Sequence, residues 1–435
     1  MNSHKLSPAY WVPTVYFGMG LPFVALSMVS VLMFSDLNIS NAQIAFWTSL
    51  VMLPWTLKPL WSPLLEMFKT KKYFVVATQL VTGIAFGLIA LVLPIKDFFP
   101  YAIALMGIIA LSGATHDIAG DGVYLTELDS AQQAKYIGWQ GAFYNLAKIL
   151  TTGGLVYLAG ALADHFGATW AWMIIMLICA ALMGALSLYH SRILPSGGEA
   201  KGNVHNFKDA MQMLGEVLTS FFKKKHIFWY ISFIVLYRFA EGFAMKIVPL
   251  FLKASVAEGG LGLSVQEIGI IYGTFGAAAF VLGSILAGYY ISALGLKKVL
   301  FSLCCFFNIP FAVYLFLAMT QPSNLWVVGG AIVFEYFGYG FGFVGLTLFM
   351  MQQVAPGNHK MAHYAFATGI MNLGVMIPGM MSGYLSDAVG YQNFFIWVLI
   401  ATIPAFLVCW FVPFTYNNSN TTEEEKKIST EPIEC

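Results

Sequence analysis

Asp117 and Asp121 stand four residues apart in a mostly apolar stretch. On a helix that spacing stacks both carboxylates on one face. Two carboxylates so close in a low dielectric repel unless a base intervenes or one holds a proton. Lys58 or Lys148 is a base that could intervene. Arg238 and Glu241, three apart, are placed to pair along one helix turn. Lys246 and Glu335 are further charges inside apolar runs. Asp117, Asp121, Glu241 and Glu335 are therefore candidates for reversible protonation. Lys58, Lys148, Arg238 and Lys246 are candidates for holding an anionic or strongly polar solute. Trp55, Tyr144 and Tyr237 add flat rings suited to the C–H faces of sugars, although rings also serve packing. Glu66 and Glu127, with Lys135, lie near the ends of apolar runs and read as gate or ion-pair positions. His116 and His363 read as hydrogen-bonding packers. The competing reading is that all these charges are structural salt bridges.

The elements that carry these residues are membrane helices. Of 435 residues, 59% are hydrophobic and only 10% are charged, against about 25% charged in soluble proteins. Mean hydropathy is +0.74. A charge within such a helix costs at least ~2.5–3.5 kcal/mol on insertion scales, so a set of this size implies use. Twelve stretches reach the roughly 20 residues needed to cross a bilayer: 10–34, 42–66, 73–95, 100–127, 136–163, 168–191, 227–252, 265–291, 299–319, 325–354, 361–386 and 391–414. The first is too long for a cleaved signal and reads as a retained span. Residues 192–226 form a hydrophilic cytoplasmic linker between two halves, 1–191 and 227–414. Residues 415–435 form a polar cytoplasmic tail. Of the 22 Lys and Arg, only Lys96 and Lys253 fall in loops on the side opposite the termini. Lys58, Lys148, Arg238 and Lys246 lie within spans, and the remainder crowd onto the side of the termini. That bias places both termini in the cytoplasm. Five cysteines show neither disulfide nor metal spacing, and a net charge of +1 gives no reason to expect nucleic acid. No cofactor or metal is expected.

The halves repeat. Gly160-x-x-x-Asp164-x-x-Gly167 ends the fifth span and Gly383-x-x-x-Asp387-x-x-Gly390 ends the eleventh. Asn145-Leu146 matches Asn372-Leu373, and Asn41-x-Gln43 matches Ser264-x-Gln266, at nearly the same offset. Two parallel six-span repeats with a solute site between them near mid-membrane define the major facilitator fold. The expected class is thus an all-α membrane protein of twelve transmembrane helices in two pseudo-symmetric six-helix bundles.

Several segments resemble a narrower family. Lys58-Pro-Leu-Trp-Ser-Pro-Leu-Leu-Glu66 is similar to the second-span signature of the AmpG-type muropeptide permeases. Gly18-Met-Gly-Leu-Pro22, His116-Asp117-Ile118-x-x-Asp121, Leu236-Tyr237-Arg238-Phe-Ala-Glu241-Gly-Phe-Ala-Met245 and Phe334-Glu335 resemble further elements of it. The wider family includes acetyl-CoA transporters. The resemblance implies proton-driven import of GlcNAc-anhydro-MurNAc, with or without peptide, across a bacterial inner membrane by a monomer. It implies a polar cavity that includes Lys58, Asp117, Asp121, Arg238, Glu241 and Glu335. His116, Gly122, Tyr336 and Lys246 depart from the family pattern and bear on which solute is carried.

The function expected is secondary active transport, with protons and a small solute as partners in a lipid bilayer. The solute is an amino sugar, an anhydro-muropeptide or a related glycan fragment. An anionic solute such as acetyl-CoA is the alternative carrier reading. Drug export would more often bring a complete Asp-Arg-x-Gly-Arg loop after the second span, which the sequence lacks. A membrane-embedded enzyme would need convergent nucleophile, base and oxyanion donors, and no such set is visible.

Overall fold

The computed structural model describes residues 7–61, 65, 70–128, 130–198, 207–356 and 360–415. Helices account for nearly all of it, as they must where lipid offers no partner to backbone groups. Nine unbroken helical stretches among the described residues are long and apolar enough to cross a membrane. One of them, 362–411, contains two spans that turn at Gly390, whose φ of 74° interrupts the helix. Two further spans are broken within their length. The second runs Asn41–Leu50, then Leu53–Leu57 and a 3-10 turn at Lys58–Leu60. Pro54 and Pro59 each remove a helical donor there. The seventh, expected to be continuous, divides at Arg238 into Ile227–Tyr237 and Phe239–Lys253. Twelve spans result.

Spans one to six pack as one bundle and seven to twelve as another. The linker contains a helix not foreseen in the sequence, Phe207–Phe222. It docks on the second bundle: Phe221 is fully buried there, and Ser220 Oγ lies 2.8 Å from His363 Nε2. Lys224 donates to the Pro356 carbonyl, and burial lowers its pKa. The tail beyond Thr415 lies outside the described residues.

The two bundles meet firmly on the face away from the termini. Lys253 Nζ lies 2.9 Å from Asp36 Oδ1 and donates to Ser35 Oγ at 3.1 Å. Trp172 Nε1 donates to the other Asp36 oxygen at 2.7 Å. Gln266 donates to Asp164 at 2.7 Å, and Asn41 donates to the Tyr391 hydroxyl at 3.3 Å. The repeated glycines explain how the backbones come so close. A Cβ on Gly160 would lie 2.9 Å from the Gln266 backbone, and one on Gly383 would lie 2.4 Å from the Asn41 carbonyl. Each repeat therefore presses a glycine of its fifth helix onto the second helix of the other repeat. Spans five and eight also face each other through π turns, Ile149–Leu155 and Gly269–Phe275. Thr152 Oγ1 donates there to the Gly273 carbonyl at 3.4 Å.

Candidate functional site

On the termini side of this closure lies a cavity of about 370 Å³, lined from both bundles. Spans one, two and five contribute Phe23, Ser27, Ser49, Trp55, Tyr144, Asn145 and Lys148. Spans seven, eight, ten and eleven contribute Arg238, Lys246, Phe280, Tyr339, Phe343 and Asn372. Asn145 and Asn372, equivalent positions of the repeat, thus face one space from opposite halves. Lys148, Arg238 and Lys246 are its charged lining residues, and among the described residues no carboxylate lines it. Lys148 Nζ sits 4.7 Å from the Phe280 ring centre and 5.7 Å from that of Tyr336, within cation–π range. Arg238 lies 5.1 Å from the Phe343 ring.

The expected single chamber of mixed charge is therefore corrected: the carboxylates flank the cavity, each held by partners in its own bundle. In the first bundle, Asp117 Oδ2 accepts from Trp55 Nε1 at 3.0 Å and lies 3.5 Å from Lys58 Nζ. Its Oδ1 is buried without a hydrogen-bond partner. One turn on, the exposed Asp121 accepts from the Tyr16 hydroxyl at 2.8 Å. Lys58 is thus the base beside the carboxylate pair, while Lys148 faces the other half. In the second bundle, Arg238 holds Glu241 through two bonds of 2.6 and 2.5 Å. The break in span seven at Arg238 turns the guanidinium back onto the following helical turn. Glu335 accepts from Tyr314 at 2.7 Å. Glu241 and Glu335 share a side chamber of about 30 Å³ with Tyr272, Tyr336 and Tyr339, room for a water or two. Met28, Met245 and Tyr339 line both spaces and separate the carboxylates from the main cavity.

The remaining sequence candidates divide. Trp55 and Tyr144 line the cavity. Tyr237 does not: its ring packs on Phe233 and Phe307, and its hydroxyl donates to the Gly342 carbonyl at 2.9 Å. One residue from Arg238 on the helix, it points into the core of the second bundle. Glu127 accepts from the Gly197 N–H at 2.9 Å, tying span four to the linker. Glu66 and the Lys135 side chain lie outside the described residues. His116 and His190 are buried in a chain through Gln79, with bonds of 3.0 and 2.9 Å. Sequence reasoning missed Tyr16 and Tyr314, the hydroxyls that hold Asp121 and Glu335. It also missed the Asp36–Lys253 pair, since nothing along the chain joins residues so far apart.

Comparison with known proteins agrees with this architecture. The chain is 26% identical over 427 residues to an uncharacterized protein of Haemophilus influenzae, covering 93% of this chain and 95% of that one. It is 23% identical over 397 residues to the anhydromuropeptide permease of Escherichia coli K12, covering 90% of this chain and 77% of the permease. Among solved structures, the nucleoside transporter NupG superposes with a TM-score of 0.68 at 15% identity, covering 92% of this chain and 98% of NupG. A D-xylose–proton symporter does so with a TM-score of 0.69 at 13% identity, covering 93% and 98%. These likenesses show the fold. The family model described as Major Facilitator Superfamily matches residues 14–354 and 234–434. The chain is a multi-pass membrane protein that belongs to the major facilitator superfamily.

Proposed function

We propose that this chain is a proton-coupled importer of anionic amino-sugar solutes, of the anhydro-muropeptide class, across a bacterial inner membrane. The observation that carries the reading is the charge of the central cavity: Lys148 and Lys246 line it, together with the Glu241-paired Arg238, and no carboxylate among the described residues lines it. The lactyl carboxylate of the peptide-free muramic acid, or a carboxylate of the stem peptide where one is joined to the lactyl group, supplies a negative charge. Trp55, Tyr144, Phe280 and Tyr339 offer rings for the sugar faces. The likeness to the E. coli permease supports the same solute class and favours it over acetyl-CoA.

Protons are carried by the flanking carboxylates, Asp117 with Asp121 in one bundle and Glu241 with Glu335 in the other. Keeping them out of the solute space lets proton and anion bind together without the carboxylates repelling the solute. Residues 1–191 and 227–414 act as the two moving halves of a monomer, joined by the cytoplasmic linker 192–226. Both termini are cytoplasmic, and the closed face is the outer one. The cycle moves a proton and a solute and makes no covalent bond.

Purified chain in proteoliposomes tests this. Labelled GlcNAc-anhydro-MurNAc accumulates above the external level when an inward proton gradient is imposed, and accumulation collapses with a protonophore. Equal levels inside and out under the gradient would refute the reading.

A further inference from the structure

Lys246 is the cation that the proton sites leave unexplained. It is 4% exposed, and among the described residues no carboxylate lies within ion-pairing distance of it. Its Nζ instead donates to the Ser27 carbonyl at 2.7 Å and reaches the Thr48 carbonyl at 3.5 Å. Both acceptors belong to the other half of the molecule. Ser27 lies in the π turn Ala25–Val29. Thr48 precedes the break in span two, where the Met52 N–H turns to Ser49 at 3.0 Å instead of to Thr48. An ammonium has three donors, and Lys246 also lines the cavity.

The closure that brings Ser27 and Thr48 to Lys246 is the closure of the face away from the termini. Asp36 and Lys253 meet about two helical turns farther along the same spans. When that face opens, spans one and two leave span seven and take both carbonyls with them. The ammonium then stands in the cavity without acceptors, and a charge left so at membrane depth is costly. Arg238 keeps Glu241 within its own half and does not change partners in this way. Lys148 also reaches across the halves, but to the ring faces of Phe280 and Tyr336, not to carbonyls that take up its donors.

We propose that Lys246 is the residue that binds and releases the solute's carboxylate. With the outer face open it pairs with the anion. On closure the Ser27 and Thr48 carbonyls take its donors, and the anion is set free toward the termini side. A ligand shifts a two-state equilibrium only by its differing affinity for the two states. One ammonium with two alternative acceptor sets supplies such a difference. The inference rests on the anionic-solute reading above and adds to it the residue and the direction of the affinity change.

The test uses oriented proteoliposomes with GlcNAc-anhydro-MurNAc and the same disaccharide with its lactyl group converted to the carboxamide. In the wild type, half-saturation from the outer side is about tenfold or more tighter for the acid than for the amide. The acid also binds more tightly from the outer side than from the cytoplasmic side. Lys246→Met abolishes the preference for the acid, and Lys246→Arg retains part of it. A Lys246→Met carrier with the full preference, or a wild type with equal affinity from both sides, would overturn the proposal. A second arm needs no solute: spin labels at Asn38 and Val256, on opposite halves of the outer face, report its opening. Lys246→Met shifts the distances toward the open form, and an unchanged distribution would also overturn the proposal. A wild-type chain that takes up neither disaccharide refutes the proposed function instead, and the label distances then decide the role of Lys246 alone.

Discussion

Asp36→Asn opens the face away from the termini, the outer face in the proposed orientation. The carboxylate meets Lys253 at 2.9 Å and accepts from Trp172 at 2.7 Å, with side-chain exposures of 12% for Asp36 and 23% for Lys253. An amide oxygen still accepts from the indole, so the substitution removes the ion pair and little else. Exposed pairs contribute about 0.2–1 kcal/mol, and breaking a buried pair costs about 3–5 kcal/mol. A pair of intermediate exposure belongs between these, at roughly 1–2 kcal/mol. Since about 1.4 kcal/mol is a tenfold change in an equilibrium constant, the ratio of outer-open to outer-closed molecules rises about tenfold. Electron–electron double resonance reads that ratio directly, with labels at Asn38 and Val256 in a chain whose cysteines are replaced. A single variant with an unchanged distribution would refute the assignment of this pair as a closure contact.

Other perturbations separate the parts of the mechanism. Asp117→Asn and Asp121→Asn each impair gradient-driven accumulation while membrane insertion, read by yield and monodispersity, is unchanged; normal accumulation in both would remove them as proton carriers. Glu241→Gln leaves Arg238 buried without its counter-charge and destabilises the chain by about 3–5 kcal/mol, seen as a lowered thermal midpoint. The double variant Arg238→Met with Glu241→Met regains much of that stability and still fails to transport. Gly383→Val places a side chain where the Asn41 carbonyl lies 2.4 Å from the position of a Cβ. It therefore lowers uptake and enriches the outer-open form; wild-type uptake would show that this approach is not needed in the cycle.

Much of the architecture was legible because membrane physics leaves few choices. Length and apolarity gave the spans, and the matched motifs at Gly160 and Gly383 gave the repeat; that these glycines sit where the halves touch was visible only in the structure. Charge spacing put Asp117 and Asp121 on one helix face, with Lys58 and Lys148 both open as their base, and pointed to the pairing of Arg238 with Glu241; the choice of Lys58 came from the structure. What was not legible depends on packing between distant segments. Tyr16 and Tyr314 hold carboxylates, yet the chain has 21 tyrosines and none of them announces a partner. Tyr237 adjoins a cavity residue but turns into the core, a difference of one helical step. Span seven breaks at Arg238 without a glycine or proline at that position, so local propensity gave no sign of it. The π turn at Ala25–Val29, which contains the Ser27 carbonyl that Lys246 bonds, has no composition that distinguishes it from the α-helix around it.

The cation-lined cavity between the halves is tested most directly by covalent capture of the solute. A photoreactive aryl-azide derivative of GlcNAc-anhydro-MurNAc, irradiated on the purified chain and mapped by peptide sequencing, labels cavity positions from both bundles. Trp55 and Tyr144 on one side and Phe280 and Asn372 on the other are the expected sites, with excess unmodified disaccharide preventing the labelling. Capture confined to one bundle or to lipid-facing positions, or undiminished by competitor, would contradict the account.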